Sequence, residues 1–100
     1  MRDRRNTSPL LPKKLLALRE FLTVDQVELA ASLNADILSQ SGHPHKIKPK
    51  RISQYEEGLY EPNFLVLVAY SRVGRVHLDL IADDRFTLQE FQKQLGKHTR

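Results

Sequence analysis

The sequence predicts an all-α domain of five helices followed by a short C-terminal tail helix. Three observations carry this. Apolar residues recur at helical spacing, as in Leu15, Leu18 and Leu22 and again in Leu29, Ala30 and Leu33. Helix-start signatures stand ahead of those runs, including the capping boxes Asp25 with Glu28 and Thr87 with Glu90. No segment reads convincingly as a strand, and nothing repeats.

Residues 1–11 are polar and basic, are punctuated by Pro9, and read as a flexible arm. Pro12 suits the first position of a helix, where a missing N–H costs nothing, so a first helix is expected over roughly 13–22. Thr23 with Gln26 offers one start for the second helix and Asp25 with Glu28 another. Asp25 is preferred, because it places Val24 before the cap and aligns Leu29, Ala30 and Leu33 on one face. Asn34 tolerates the left-handed conformation of a helix end, with a run-on to about Leu38 as the alternative. Residues 35–47 then read mostly as a loop broken by Gly42 and Pro44, and Ile47 as an anchor returning the chain to the core.

The third helix starts near Pro49, buries Ile52 and Tyr55, and ends at a left-handed Gly58, with Pro62 blocking continuation. Asn63 caps a fourth helix over roughly 64–73 that is apolar nearly all round. Phe64, Leu67 and Val68 lie on one side of it, and Val66, Ala69, Tyr70 and Val73 on the other. A loop through Gly74 leads to a short fifth helix with Leu78, Leu80 and Ile81. The tail helix carries Phe91 and Leu95 and stops at Gly96. The expected division is an arm over 1–11, a core domain over 12–83, and a tail over 84–100 that can serve dimerisation.

One hundred residues suit one small domain. The hydrophobic fraction of 40% and charged fraction of 28% describe a soluble, folded chain. Without cysteine, neither a disulfide framework nor a cysteine–zinc site is available. The longest apolar run, residues 64–70, is too short to span a bilayer, and the N-terminus lacks a signal-type apolar run. A cytoplasmic protein with no membrane segment and no cofactor is the expectation. His43 and His45 flank a proline on a loop with no carboxylate near in sequence, so metal binding is not expected. No nucleophile triad or Gly-rich phosphate loop is present, so an enzyme is not expected either.

The net charge is +4, and its distribution says more than its size. No acid occurs from Ile37 to Tyr55, while Lys46, Lys48, Lys50 and Arg51 crowd beside His43 and His45. A second basic cluster, Arg2, Arg4, Arg5, Lys13 and Lys14, stands against Asp3 alone. Such clusters bind phosphate backbone; the plain alternative is a solvated face.

Three stretches in order, LLALREFLTVDQVELAASLN, RISQYEEGLYEP and LVAYSRVGRVHLDLIADD, resemble the Xre-type helix-turn-helix family, which includes Cro and the lambdoid phage repressors. The likeness covers roughly residues 13–83. Leu18-Arg19 matches the leucine–arginine pair late in the family's first helix. Gln26, Leu29, Ala30 and Leu33 match its Q-x-x-L-A-x-x-L second helix. Ile52-Ser53, Glu56, Gly58 and Pro62 match I-S-x-x-E-x-G-x-x-x-P.

The resemblance implies a lambda-repressor-like domain whose third helix enters the major groove of double-stranded DNA. Lys50, Arg51 and Gln54 are then the expected base readers, since lysine and arginine donate to guanine and glutamine pairs with adenine. Lys48, Ser53 and Lys46 are expected nearer the backbone. Gln26 is expected to contact phosphate and brace the third helix, against the plain reading of a solvated glutamine. An Arg19–Glu56 ion pair is expected to tie the first helix to the third; an exposed Glu56 is the alternative. Two departures stand out. About a dozen extra residues lie between the second and third helices. After Gly58, where relatives carry lysine or arginine, this chain has Leu59, Tyr60 and Glu61, so Tyr60 offers only a hydroxyl to the backbone.

The expected function is a sequence-specific transcriptional regulator, in the first instance a repressor, that acts as a homodimer. Dimerisation rests on the second apolar face of the fourth helix, which one small core need not cover. A different class of function is an antitoxin-like or adaptor module that uses that face on a protein partner.

Overall fold

A computed structural model describes residues 9–95, and they are all-helical. The helices are α1 (Leu11–Leu22), α2 (Gln26–Ser41), α3 (Pro49–Glu57), α4 (Phe64–Gly74), α5 (Leu78–Ala82) and α6 (Leu88–Leu95). No strand occurs among the described residues. The basic cluster of Arg2, Arg4 and Arg5 and the stop at Gly96 lie outside them.

Local chemistry sets the helix ends. α1 carries Pro12 in its first turn and closes on Thr23, which adopts a left-handed φ of 56° and donates its N–H to the carbonyls of Arg19 and Glu20. At α2 the carboxylate of Asp25 accepts from the N–H of Glu28 at 2.8 Å, and Glu28 accepts from the N–H of Asp25 at 2.9 Å. The reciprocal bonds satisfy two N–H groups that a helix start otherwise leaves bare. Asn63 caps α4 by accepting from the N–H of Val66 at 3.0 Å. Thr87 and Glu90 form the same reciprocal pair at α6, at 3.1 and 2.8 Å.

α2 is longer than its sequence suggests. It ends neither at Asn34 nor at Leu38 but runs to Ser41 and is capped by Gly42 at φ 77°. The reason is the apolar stripe: Ile37 follows Leu33 by one turn and is fully buried, so extending the helix keeps paying in buried surface. The polar run Ser39–Ser41 lies on the last, exposed turn and does not break it. The excursion before α3 therefore shrinks to residues 42–48.

α2 packs against α4, and α3 lies across α1 and α2. α6 packs on α1, and α5 joins α1 to α4. One core results. It contains Leu15 and Leu18 of α1, Leu29, Leu33 and Ile37 of α2, Ile52 and Tyr55 of α3, and Ala69 and Tyr70 of α4. Ile81, Phe91 and Leu95 complete it, so the helix expected in the tail belongs to the same interior.

Three expectations are corrected by this packing. The second apolar face of α4 is not left open: Val66, Ala69 and Tyr70 are buried and Val73 is packed against the core, all within the one chain. The apolar surface that remains there is Phe64 and Leu65 at the start of α4, with Leu59 just before it. Lys14 is not part of a surface basic cluster. It stands at the buried face of α1, fully covered, and its Nζ donates to the carbonyl oxygens of Leu80 at 2.8 Å and Asp83 at 3.1 Å. Burial pushes its pKa down, against the pull of Asp84, Asp83 and Glu90. Finally, Gly74 is not a loop residue. It ends α4, where a Cβ would lie 2.7 Å from Leu18 Cδ1, and Arg75 takes the left-handed cap instead at φ 56°. Glycine is required there for close approach of α4 to α1.

Candidate nucleic-acid interface

α3 begins at Pro49 with Lys48 as its cap, carries no acid in its first turn, and closes on Gly58 at φ 79°. Its inner face is fixed by Ile52, which is fully buried, and by Tyr55, whose ring meets Tyr70 edge-on at 6.4 Å and 66°. Burial raises the pKa of both phenols, so neither ionises near neutral pH. Edge-to-face rings of this kind contribute about 0.5–1.5 kcal/mol beyond their buried area. With Ile52 and Tyr55 turned inward, Lys50 is exposed on the outer side of α3, Ser53 and Gln54 are half-exposed beside it, and Arg51, one turn before Tyr55, is half-exposed at the flank.

The far end of α3 is locked by a three-way contact. Arg19 donates from Nε to Glu56 Oε2 at 2.7 Å and from Nη2 to Oε1 at 3.0 Å. Gln26 Nε2 donates to the same Oε1 at 3.1 Å. Arg19 also reaches the Val24 carbonyl at 3.2 Å. The bond to Glu56, opposed by burial, raises the pKa of Arg19 further above its ordinary value. The pair thus joins α1, the start of α2 and the end of α3. Gln26, expected to contact phosphate and brace the third helix, has its side-chain amide turned to Glu56 and braces α3 directly.

The segment 42–48 is tethered rather than loose. Asn34, in mid-helix, donates from Nδ2 to the Ile47 carbonyl at 3.0 Å and accepts from the Ile47 N–H at 2.9 Å. This amide closes both backbone groups of Ile47, whose side chain packs against the core. Asparagine suits the task because one side chain offers donor and acceptor together. At the other end Ser41 accepts from the N–H of His43 at 3.1 Å.

The tether sets Lys46 beside the start of α3, where Lys48 is the cap, along a groove of about 530 Å³. Lys50, Arg51, Gln54, Tyr60 and Asn63 line the rest, with His45, and no acid is among the lining residues. The imidazole Nδ1 of His45 is buried there without a hydrogen-bond partner. The basic residues expected at bases and those expected at backbone therefore share one concave surface. Two others already have partners within the chain. Ser53 donates its hydroxyl to Glu57 at 3.2 Å, within α3. Tyr60 lies beneath Arg51, whose guanidinium carbon is 3.8 Å from the ring centroid.

Sequence reasoning missed the Asn34 tether, the Arg51–Tyr60 stack and the burial of Lys14. For Lys14 a signal existed, since it follows Leu11 by three and precedes Leu18 by four, on the apolar stripe. The other two join residues thirteen and nine apart through side-chain geometry that periodicity does not encode.

Among the described residues no helix is long and apolar enough to cross a membrane. No cluster of three or more potential metal ligands forms among them. Comparison with protein-family models, with curated proteins and with solved structures finds no match to this chain.

Proposed function

We propose that the chain is a sequence-specific DNA-binding transcriptional regulator of lambda-repressor-like helix-turn-helix type, with α3 entering the major groove. The observation that carries this reading is the acid-free cationic groove along α3, formed by Lys46, Lys48, Lys50 and Arg51 with Gln54 between them. In this reading Lys50, Arg51 and Gln54 face base edges, and Lys46 and Lys48 neutralise phosphates. The positive end of the α3 dipole lies at the same helix start.

Length supports a dimer. α3 has nine residues. At about 1.5 Å per residue it spans about 13 Å, or about four base pairs at ~3.4 Å each. So short a site does not single out an operator, whereas two copies about one DNA turn apart, roughly 34 Å, read twice the sequence. Occupying such a palindrome is enough to repress.

Binding-site selection from random duplex DNA at two salt concentrations tests the reading. A symmetric motif is expected, with affinity falling by a log–log slope of about −0.9 per phosphate neutralised. Enrichment without a motif would reduce the function to nonspecific phosphate contact, and no binding would refute it.

A second reading, an antitoxin-like or adaptor module, draws on the exposed Phe64 and Leu65 at the start of α4, which are 70% and 38% exposed. Reversing Lys50 and Arg51 to glutamate separates the two. DNA binding collapses under the first reading, and partner binding through α4 survives under the second.

A further inference from the structure

Among the described residues the arginines are treated differently. Arg19, Arg72 and Arg85 each meet a carboxylate, Glu56, Asp36 and Asp83 respectively, at 2.7–3.0 Å. Arg51 meets none. Among the described residues no carboxylate or carbonyl takes the guanidinium N–H groups of Arg51, which lies instead 3.8 Å from the centroid of the Tyr60 ring. That separation is face contact, well inside the ~6 Å reach of a cation–π interaction. A long side chain is thereby held in place with its donors unspent. Tyr60 itself belongs to no helix; it sits in the turn after Gly58, whose left-handed conformation lets the chain double back. The turn is closed by the N–H groups of Leu59 and Tyr60, which both donate to the Gln54 carbonyl, at 2.9 and 3.3 Å.

Resting on the DNA-binding reading, we propose that Tyr60 is a specificity-determining positioning residue: it holds the guanidinium of Arg51 flat and outward, so that Arg51 reads one guanine in each half-site. The chemistry follows from the arginine. A guanidinium carries its donors in a rigid planar fork that matches the paired acceptors O6 and N7 of guanine. A fork that is free to rotate meets phosphate as readily as base. Laid on a ring, it presents only its edge, and the rotamer entropy lost on binding falls. Lysine at the same place has no plane to stack and no fork to orient. Tyr60 thus acts through Arg51 and needs no hydroxyl, unlike a tyrosine that donates to phosphate.

The test measures base preference, not total affinity. Selection from random duplexes is run on the parent protein and on Tyr60→Phe, Tyr60→Leu and Arg51→Lys, with circular dichroism checking each fold. Tyr60 is about half exposed, so its variants are expected to fold. The parent motif is expected to hold one guanine that Arg51→Lys weakens several-fold, since lysine still donates to guanine but brings no planar fork. Tyr60→Phe keeps that preference, and Tyr60→Leu lowers it by about 2- to 5-fold while other positions stand. A uniform loss across all sequences in both Tyr60 variants would overturn the proposal in favour of a phosphate contact by the hydroxyl. An unchanged guanine preference in Tyr60→Leu overturns it as well. A parent protein with no motif sinks the DNA reading beneath it, a result distinct from either.

Discussion

Replacing Glu56 by alanine is the sharpest perturbation of the frame that holds α3. Its carboxylate accepts three hydrogen bonds, two from Arg19 and one from Gln26, at 2.7–3.1 Å. The side chains of Arg19 and Glu56 are 18% and 6% exposed, so solvent screens the pair little. Removing one member of a buried pair leaves the other charge uncompensated and costs about 3–5 kcal/mol. Here the stranded Arg19 keeps the Val24 carbonyl at 3.2 Å, which favours the lower half of that range. A domain of this size holds about 5–15 kcal/mol in total, so the variant still folds but with a small reserve. At about 4–8 °C per kcal/mol, a 3 kcal/mol loss lowers Tm by roughly 12 °C or more. Urea denaturation of Glu56→Ala, Arg19→Ala and the double variant closes a cycle. The double variant is expected to lose less than the sum of the singles, with a coupling of about 1–3 kcal/mol that survives high salt. If Glu56→Ala costs under about 1 kcal/mol and the coupling is below ~0.5 kcal/mol, the pair behaves like an exposed one and the reasoning fails.

Three further outcomes follow from other contacts. Asn34→Ala removes both bonds to Ile47, so stability falls by about 1–3 kcal/mol and the Ile47 amide exchanges faster with solvent; exchange no faster than in the parent protein would show that the segment does not depend on the tether. Gly74→Ala places a methyl 2.7 Å from Cδ1 of the fully buried Leu18, and is expected to cost about 1–3 kcal/mol by thermal unfolding; a neutral result would mean that Leu18 or α4 gives way freely. Asp83, bonded to the Arg85 side chain and N–H, has its carboxyl held down at about 2 against an ordinary 3.8. As pH falls the unfolded chain takes up this proton first, so the stability Asp83 adds is complete above 3.8 and is lost between there and about 2. An NMR titration should show that low midpoint, and Arg85→Ala should return it toward the ordinary value; an unmoved midpoint would remove Arg85 as its cause.

Much of this molecule was legible in the chain because local rules and global packing agree. The box at Asp25 and Glu28, the stop at Gly58 and the cap at Asn63 each depend on residues within a turn of one another. Ile52 and Tyr55 had to point inward once α3 was helical, and that alone turns Lys50 and Gln54 outward and leaves Arg51, one turn before Tyr55, at the flank. The end of α2 was harder to read, since polar Ser39–Ser41 and the apolar stripe through Ile37 give opposite signals, and tertiary burial decided for the stripe.

The sequence by itself determined the helices, their polarity and the acid-free run from Ile37 to Tyr55, because spacing, caps and charge are properties of neighbours along the chain. The tertiary structure alone decided that Asn34 holds Ile47, that Tyr60 carries Arg51, and that α4 hides its second face. Each of these is a contact whose closeness arises only after the chain has packed, so no period in the sequence records it.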